Sequence, residues 1–139
     1  MNKQRIIEQI ETLGLVPVVR AASADEAMRV IDAIKEGGVS VLEITMTVPG
    51  AVKVIEEVVA RYGQEATVGA GTVLDPETAR ACILAGAQFV VSPALNLETI
   101  ALCRRYSVAV MPGALTPTEV VTAWQAGADL VKIFPCGSM

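Results

Sequence analysis

Six short β-rich runs recur at nearly even spacing: LVPVVR (15–20), SVLEIT (40–45), ATVGAG (66–71), QFVVSP (88–93), VAVMPG (108–113) and DLVKIF (129–134). Their starts lie 25, 26, 22, 20 and 21 residues apart. The segments between them carry helix start and stop signals. Ser23 with Glu26 and Thr116 with Glu119 are expected to form capping boxes, with Pro117 at the first helical position of the second. Asp75-Pro76 is another cap followed by a first-turn proline, and Gly37-Gly38, Gly63, Gly86 and Gly127 fall where helices should stop. Three units end their helices alike, in EGGVSVLEI, LAGAQFVVSP and QAGADLVKIF. The repeat is βα, six times over, with the sixth helix missing.

Runs this apolar on both faces belong in a parallel sheet covered by helices. Such a sheet is either doubly wound or closed into a barrel. The turn after the first run reads RAASADEA, without the GxGxxG of a dinucleotide fold. The even spacing favours a TIM (β/α)8 barrel, of which about six strands are expected in these 139 residues. A complete barrel usually needs at least roughly 200 residues. Residues 1–139 are therefore expected to form one barrel domain, incomplete at its C-terminal side.

Composition removes several classes of function. Hydrophobic residues make up 53% and charged ones 19%, too apolar for a disordered or nucleic-acid-coating chain. A net charge of -4 without a basic cluster argues against nucleic acid as a partner. No stretch approaches the roughly 18 uncharged apolar residues of a membrane span. The opening MNKQRIIEQIETLG reads as an amphipathic helix, not a signal peptide. Cys82, Cys103 and Cys136, lacking CxxC spacing, read as reduced thiols in a cytoplasm. With no histidine in the chain, histidine triads, HExxH zinc sites and imidazole acid–base work are excluded. Catalysis is left to carboxylate, lysine, tyrosine or water.

In parallel α/β proteins the site lies at the carboxyl ends of the strands. The polar residues there are Arg20, Glu43, Thr45, Thr72, Ser92 and Lys132. Glu43 in VLEIT and Lys132 in LVKIF each interrupt an apolar run, as buried charges that demand a reason. Alternation puts Val41, Glu43 and Thr45 on one face, and Leu130, Lys132 and Phe134 on one face. One reading is a structural ion pair between Glu43 and Lys132 or Arg20. The other is a desolvated lysine that attacks a carbonyl and forms a Schiff base, with Glu43 moving the protons. Elsewhere, Met28, Met46 and Met111 read as core filler and Trp124 as packing against the sheet. Arg104-Arg105 reads as a solvated helix end, and Tyr106 has no evident partner.

The motifs LEITMTVPGA, VGAGTVLDPE, GAQFVVSPAL, MPGALTPTE and GADLVKIFP, in this order, resemble the class I aldolases that cleave 2-keto-3-deoxy-6-phosphogluconate (KDPG), a family that includes the 4-hydroxy-2-oxoglutarate (KHG) aldolases. The resemblance runs from about residue 13 to the end. It implies a (β/α)8 barrel, usually a homotrimer, that releases pyruvate from a small 2-keto acid without metal or cofactor. It assigns Lys132 as the Schiff-base lysine and Glu43 as the general acid–base. It also puts Arg20 and Thr72 in the pocket, with Pro93, Pro112 and Phe134 walling the pyruvate methyl. Some members read LEVTLRT, with an arginine for substrate oxyanions where Thr47 stands here, so the acid itself is left open. The family's phosphate-binding glycine turns follow strands seven and eight, which this sequence does not supply. GAGT at 69–72 belongs instead to the carbonyl side of the pocket. The rival expectation is a truncated, split or engineered barrel with an assembly role and no activity. A phosphate-binding isomerase on the same fold is disfavoured, because an iminium lysine has no task there.

Overall fold

Helix boundaries in the computed structural model, which describes residues 2–137, follow the capping residues closely. The elements are α1 (Lys3–Leu13), β1 (Val18–Val19), α2 (Ala24–Glu36), β2 (Val41–Thr45), α3 (Ala51–Tyr62), a 3-10 turn (Gly63–Glu65), β3 (Thr67–Gly71), α4 (Pro76–Leu84), β4 (Phe89–Val91), α5 (Leu97–Arg105), β5 (Ala109–Met111), β6 (Gly113–Ala114), α6 (Pro117–Gln125) and β7 (Lys132–Ile133). Thr116 and Glu119 complete a reciprocal capping box at α6, and Asp75 accepts from the Thr78 amide at 2.6 Å to start α4. At α2 the Ser23 hydroxyl accepts from the Glu26 amide, but the Glu26 carboxylate accepts from Ala22, one residue before the cap. Asn2 and Asn96 cap α1 and α5 in the same manner.

All strand pairs are parallel, and the strands lie in chain order, β1-β2-β3-β4-β5, with β6 beside β7. A doubly wound sheet reverses its order at a switch point. This one does not, so the strands form a barrel wall. The fifth run is split into β5 and β6 at Pro112, which has no N–H for a ladder. Its carbonyl still accepts from the Lys132 amide at 2.9 Å, carrying the pairing onto β7. Two runs are shorter than their composition suggested. Pro17 confines the first strand to Val18–Val19, although its carbonyl accepts from the Glu43 amide. DLVKIF is not a buried strand either. Only Lys132–Ile133 pairs, Ile133 is 44% exposed, and among the described residues β7 has a neighbour on one side alone.

The wall has two apolar faces. Leu42, Ile44, Val68, Ala70, Val90 and Val110 point outward into Ile31, Ile55, Val58, Cys82, Ile100 and Cys103 beneath the helices. The inner face carries Val41, Phe89, Val91, Ala109 and Met111, and α1 drops Ile6 and Ile10 against it. Thr67 donates to the Gln9 side chain at 2.6 Å, and Lys3 pairs with Asp129 at 2.7 Å. These contacts fix α1 across the amino-terminal end of the strands and leave the carboxyl end free.

Three surface readings change. Trp124 is 64% exposed, because α6 turns Ala123 to the core and its tryptophan to solvent. Tyr106 does have a partner, since Arg80 donates to its hydroxyl at 3.0 Å. Arg104 is not merely solvated. It reaches the Ala126 carbonyl and lies so close to Gly127 that a Cβ there would stand 2.8 Å from its Nε. No described helix is long and apolar enough to cross a membrane.

Candidate active site

Glu43 is central to β2, where every residue is buried, and it is itself only 5% exposed. Its side chain rises along the strand direction and lies over Gly71 of the neighbouring β3. A Cβ built on Gly71 would stand 1.9 Å from Glu43 Oε1 and 2.6 Å from Cδ. Two residues below, Gly69 makes the same kind of room for the Phe89 ring, 2.0 Å from a hypothetical Cβ. The inward positions of β3 are thus Thr67, Gly69 and Gly71, a nearly bare strand over which its neighbours lean. That is the structural task of GAG in VGAGT. The alternation of glycines at inward positions was the available signal, and it points to packing.

Burial holds the Glu43 carboxyl above its ordinary value, and the positive charges of Lys132 and Arg20 pull it partly back. Among the described residues no ion pair within 4.0 Å joins Glu43 to either; the ion pairs found are Lys3–Asp129 and Arg61–Asp32. Glu43 therefore senses two cations without contacting them, which leaves space between carboxylate and amine.

Lys132 is half-buried on β7 and holds its Nζ 4.9 Å from the centroid of the Phe134 ring. Pro112 is buried behind it, and Pro93 is half-buried at the end of β4. Gly113 brings these segments together, since a Cβ there would meet the Pro93 carbonyl at 2.2 Å. Thr72 is half-buried immediately after β3. Arg20 is exposed just past β1, two residues beyond Val18 and so on the Glu43 side of the wall. Thr45 donates its hydroxyl proton to the Val19 carbonyl at 2.8 Å, so Thr47 must donate to Thr45 across their 2.8 Å contact. Thr47 is exposed at the mouth. Ser92 is committed locally, donating to the Ala94 carbonyl at 2.8 Å. Among the described residues no group of three or more His, Cys, Asp or Glu side chains is placed to hold a metal ion.

Chemically, this mouth offers an amine and a carboxyl of raised proton affinity on one open face, with an apolar proline and phenylalanine border and hydroxyls beside it. Residues 6–139 match the family model described as "Aldolase: KDPG and KHG aldolase". The chain is similar to the 2-dehydro-3-deoxy-6-phosphogalactonate aldolase of Escherichia coli, 38% identical over 88% of this chain and 60% of that protein. It is also similar to the 2-dehydro-3-deoxy-phosphogluconate aldolase of Treponema pallidum, 36% identical over 94% of this chain and 61% of that one. Among solved structures, a Legionella pneumophila KDPG aldolase holding pyruvate as a covalent carbinolamine superposes with a TM-score of 0.82 at 28% identity, covering 88% of this chain and 59% of that one. The chain spans about three fifths of the length of these relatives.

Proposed function

Because this chain belongs to the KDPG and KHG aldolase family, we propose that its open mouth carries a Schiff-base aldol cleavage, with Lys132 as nucleophile and Glu43 as proton shuttle. The observation that supports the reading is the placement of Glu43. Burial raises its proton affinity above the ordinary glutamate's and it feels the Lys132 charge, yet it is not locked to that lysine.

The steps follow from those positions. The Lys132 amine adds to the keto carbon of a 2-keto-3-deoxy-4-hydroxy acid. Glu43 delivers a proton to the carbinolamine hydroxyl, which leaves as water and yields an iminium. The Glu43 carboxylate then takes the proton of the substrate's 4-hydroxyl. The C3–C4 bond breaks, its electron pair moves into the iminium, and an aldehyde departs. Protonation of the resulting enamine at C3 and addition of water release pyruvate and the free amine. The iminium is the electron sink, so the scheme calls on no cofactor. Arg20 and Thr72 bind the substrate carboxylate and carbonyl side, while Pro93, Pro112 and Phe134 border the methyl. Thr47 faces the sugar-acid hydroxyls. Substrates in this reading are KDPG or 4-hydroxy-2-oxoglutarate.

We take residues 1–139 as a single barrel-type domain, working in the cytoplasm, where Cys82, Cys103 and Cys136 remain free thiols, and as a homo-oligomer, trimeric by analogy with the family. A second reading, assembly without activity, draws on the exposure of Val18, Ile133 and Phe134 along the outer strands. Pyruvate release from KDPG and from 4-hydroxy-2-oxoglutarate, measured beside Lys132→Ala, separates them. Turnover lost in the variant supports the aldolase. Equal, background-level pyruvate from both proteins supports assembly.

A further inference from the structure

We infer that Gly71 is a positioning residue for Glu43: the absence of a side chain at 71 creates the notch that holds the carboxylate at the mouth. The inference rests on the proposed aldol reading for its kinetic consequence, and on packing alone for the rest. Thr45 pairs with Gly71 in the β2–β3 register, whereas Glu43 pairs with Gly69. Glu43 therefore reaches over the next inward position instead of standing at its own level. A Cβ at 71 would collide with two atoms of the side chain, Oε1 at 1.9 Å and Cδ at 2.6 Å, and crowd a third, Cγ at 3.1 Å. No rotation about the last bond alone relieves this, since Cδ itself is in conflict. The side chain must leave the notch.

Gly71 needs no unusual backbone, unlike Gly14, Gly38, Gly50, Gly63, Gly86 and Gly127, which have positive φ. Alanine therefore fits the strand at 71, and its effect passes through Glu43. Displaced toward solvent, the carboxyl loses the burial that raises its proton affinity. It also moves away from the atoms it serves, and a misplacement of about 1 Å can lower a rate about a hundredfold.

The test compares wild type, Gly71→Ala, Glu43→Ala and the double variant, with Glu43→Gln used to assign the Glu43 resonance in 13C-carboxyl NMR. In Gly71→Ala the Glu43 titration should move down toward that of an ordinary glutamate, with kcat lower by about 10–100-fold and KM changed far less. In urea unfolding, the loss caused by Gly71→Ala should shrink or vanish in the Glu43→Ala background, because the crowding group is gone. An unchanged Glu43 titration, or equal unfolding losses in both backgrounds, overturns the inference. If Gly71→Ala alone does not fold, rescue of folding in the double variant supports it and failure of rescue overturns it. If wild type itself releases no pyruvate, the aldol reading fails, while titration and unfolding still decide the role of Gly71.

Discussion

Lys132 Nζ stands 4.9 Å from the centre of the Phe134 ring, which follows directly on the end of β7. A ring face attracts a cation, and the iminium is a cation where the attacking amine is neutral, so the attraction favours the reacting state. Phe134 is 43% exposed, so the contact belongs to the weaker class, about 0.5–1 kcal/mol. Phe134→Ala should accordingly lower turnover about two- to fivefold, while Phe134→Tyr keeps it. Steady-state assays of both variants check this. Equal losses in the two would show that the ring's contribution is not its π face.

Glu43 gives a pH signature with a definite sign. Burial raises its carboxyl above 4.5 in the folded chain, so the folded state holds the proton more tightly than the unfolded one. Stability from this group is present below 4.5 and is lost as pH rises through the raised value. Glu43→Gln should therefore be at least as stable as wild type at pH 7, with the gap closing below pH 4.5, yet turnover should fall roughly 10²–10⁴-fold. Unfolding at several pH values checks it. A wild-type advantage that grows with pH would restore the structural ion pair.

Much of this arrangement was legible in the sequence. Period and caps located five complete βα units and a sixth strand, because Asp75, Thr116 and the helix-stopping glycines act locally. The strand lengths at each end were not legible. Pro17 and Pro112 carry no amide hydrogen, and a strand at the edge of the wall is not buried however apolar its letters. Trp124 misled for a related reason, since hydropathy alone does not say which flank of a helix meets the sheet. Glu43 and Lys132 could be singled out from the cost of a charge in an apolar run. The notch at Gly71 could not, because it depends on a side chain from another strand crossing one register step.

Gly69 yields a stability prediction free of any catalytic assumption. Phe89 is fully buried with its ring in the space a Cβ at 69 would occupy. Gly69→Ala should destabilise the fold by about 1–3 kcal/mol, the usual range for overpacking. A lower urea midpoint would show it, and an unchanged midpoint would mean the ring has room to move.

Thiol reactivity should divide two to one. Cys82 and Cys103 are buried, with their thiols pushed up to about 11 and about 12, chiefly by burial. Cys136 is exposed. Iodoacetamide at pH 8 should label Cys136 in the folded protein and all three only in denaturant. Prompt labelling of Cys103 would show that α5 opens readily.

The most direct measurement is chemical trapping. Incubation with pyruvate and borohydride should attach one reduced pyruvyl group per chain, and peptide mapping should place it on Lys132. Lys3 is tied to Asp129 at the opposite end of the wall, while Lys35 and Lys53 lie on α2 and α3. Lys132→Ala should abolish the label, and Glu43→Gln should slow its appearance without moving it. Label on Lys3, Lys35 or Lys53, or none on a folded chain, would contradict the account.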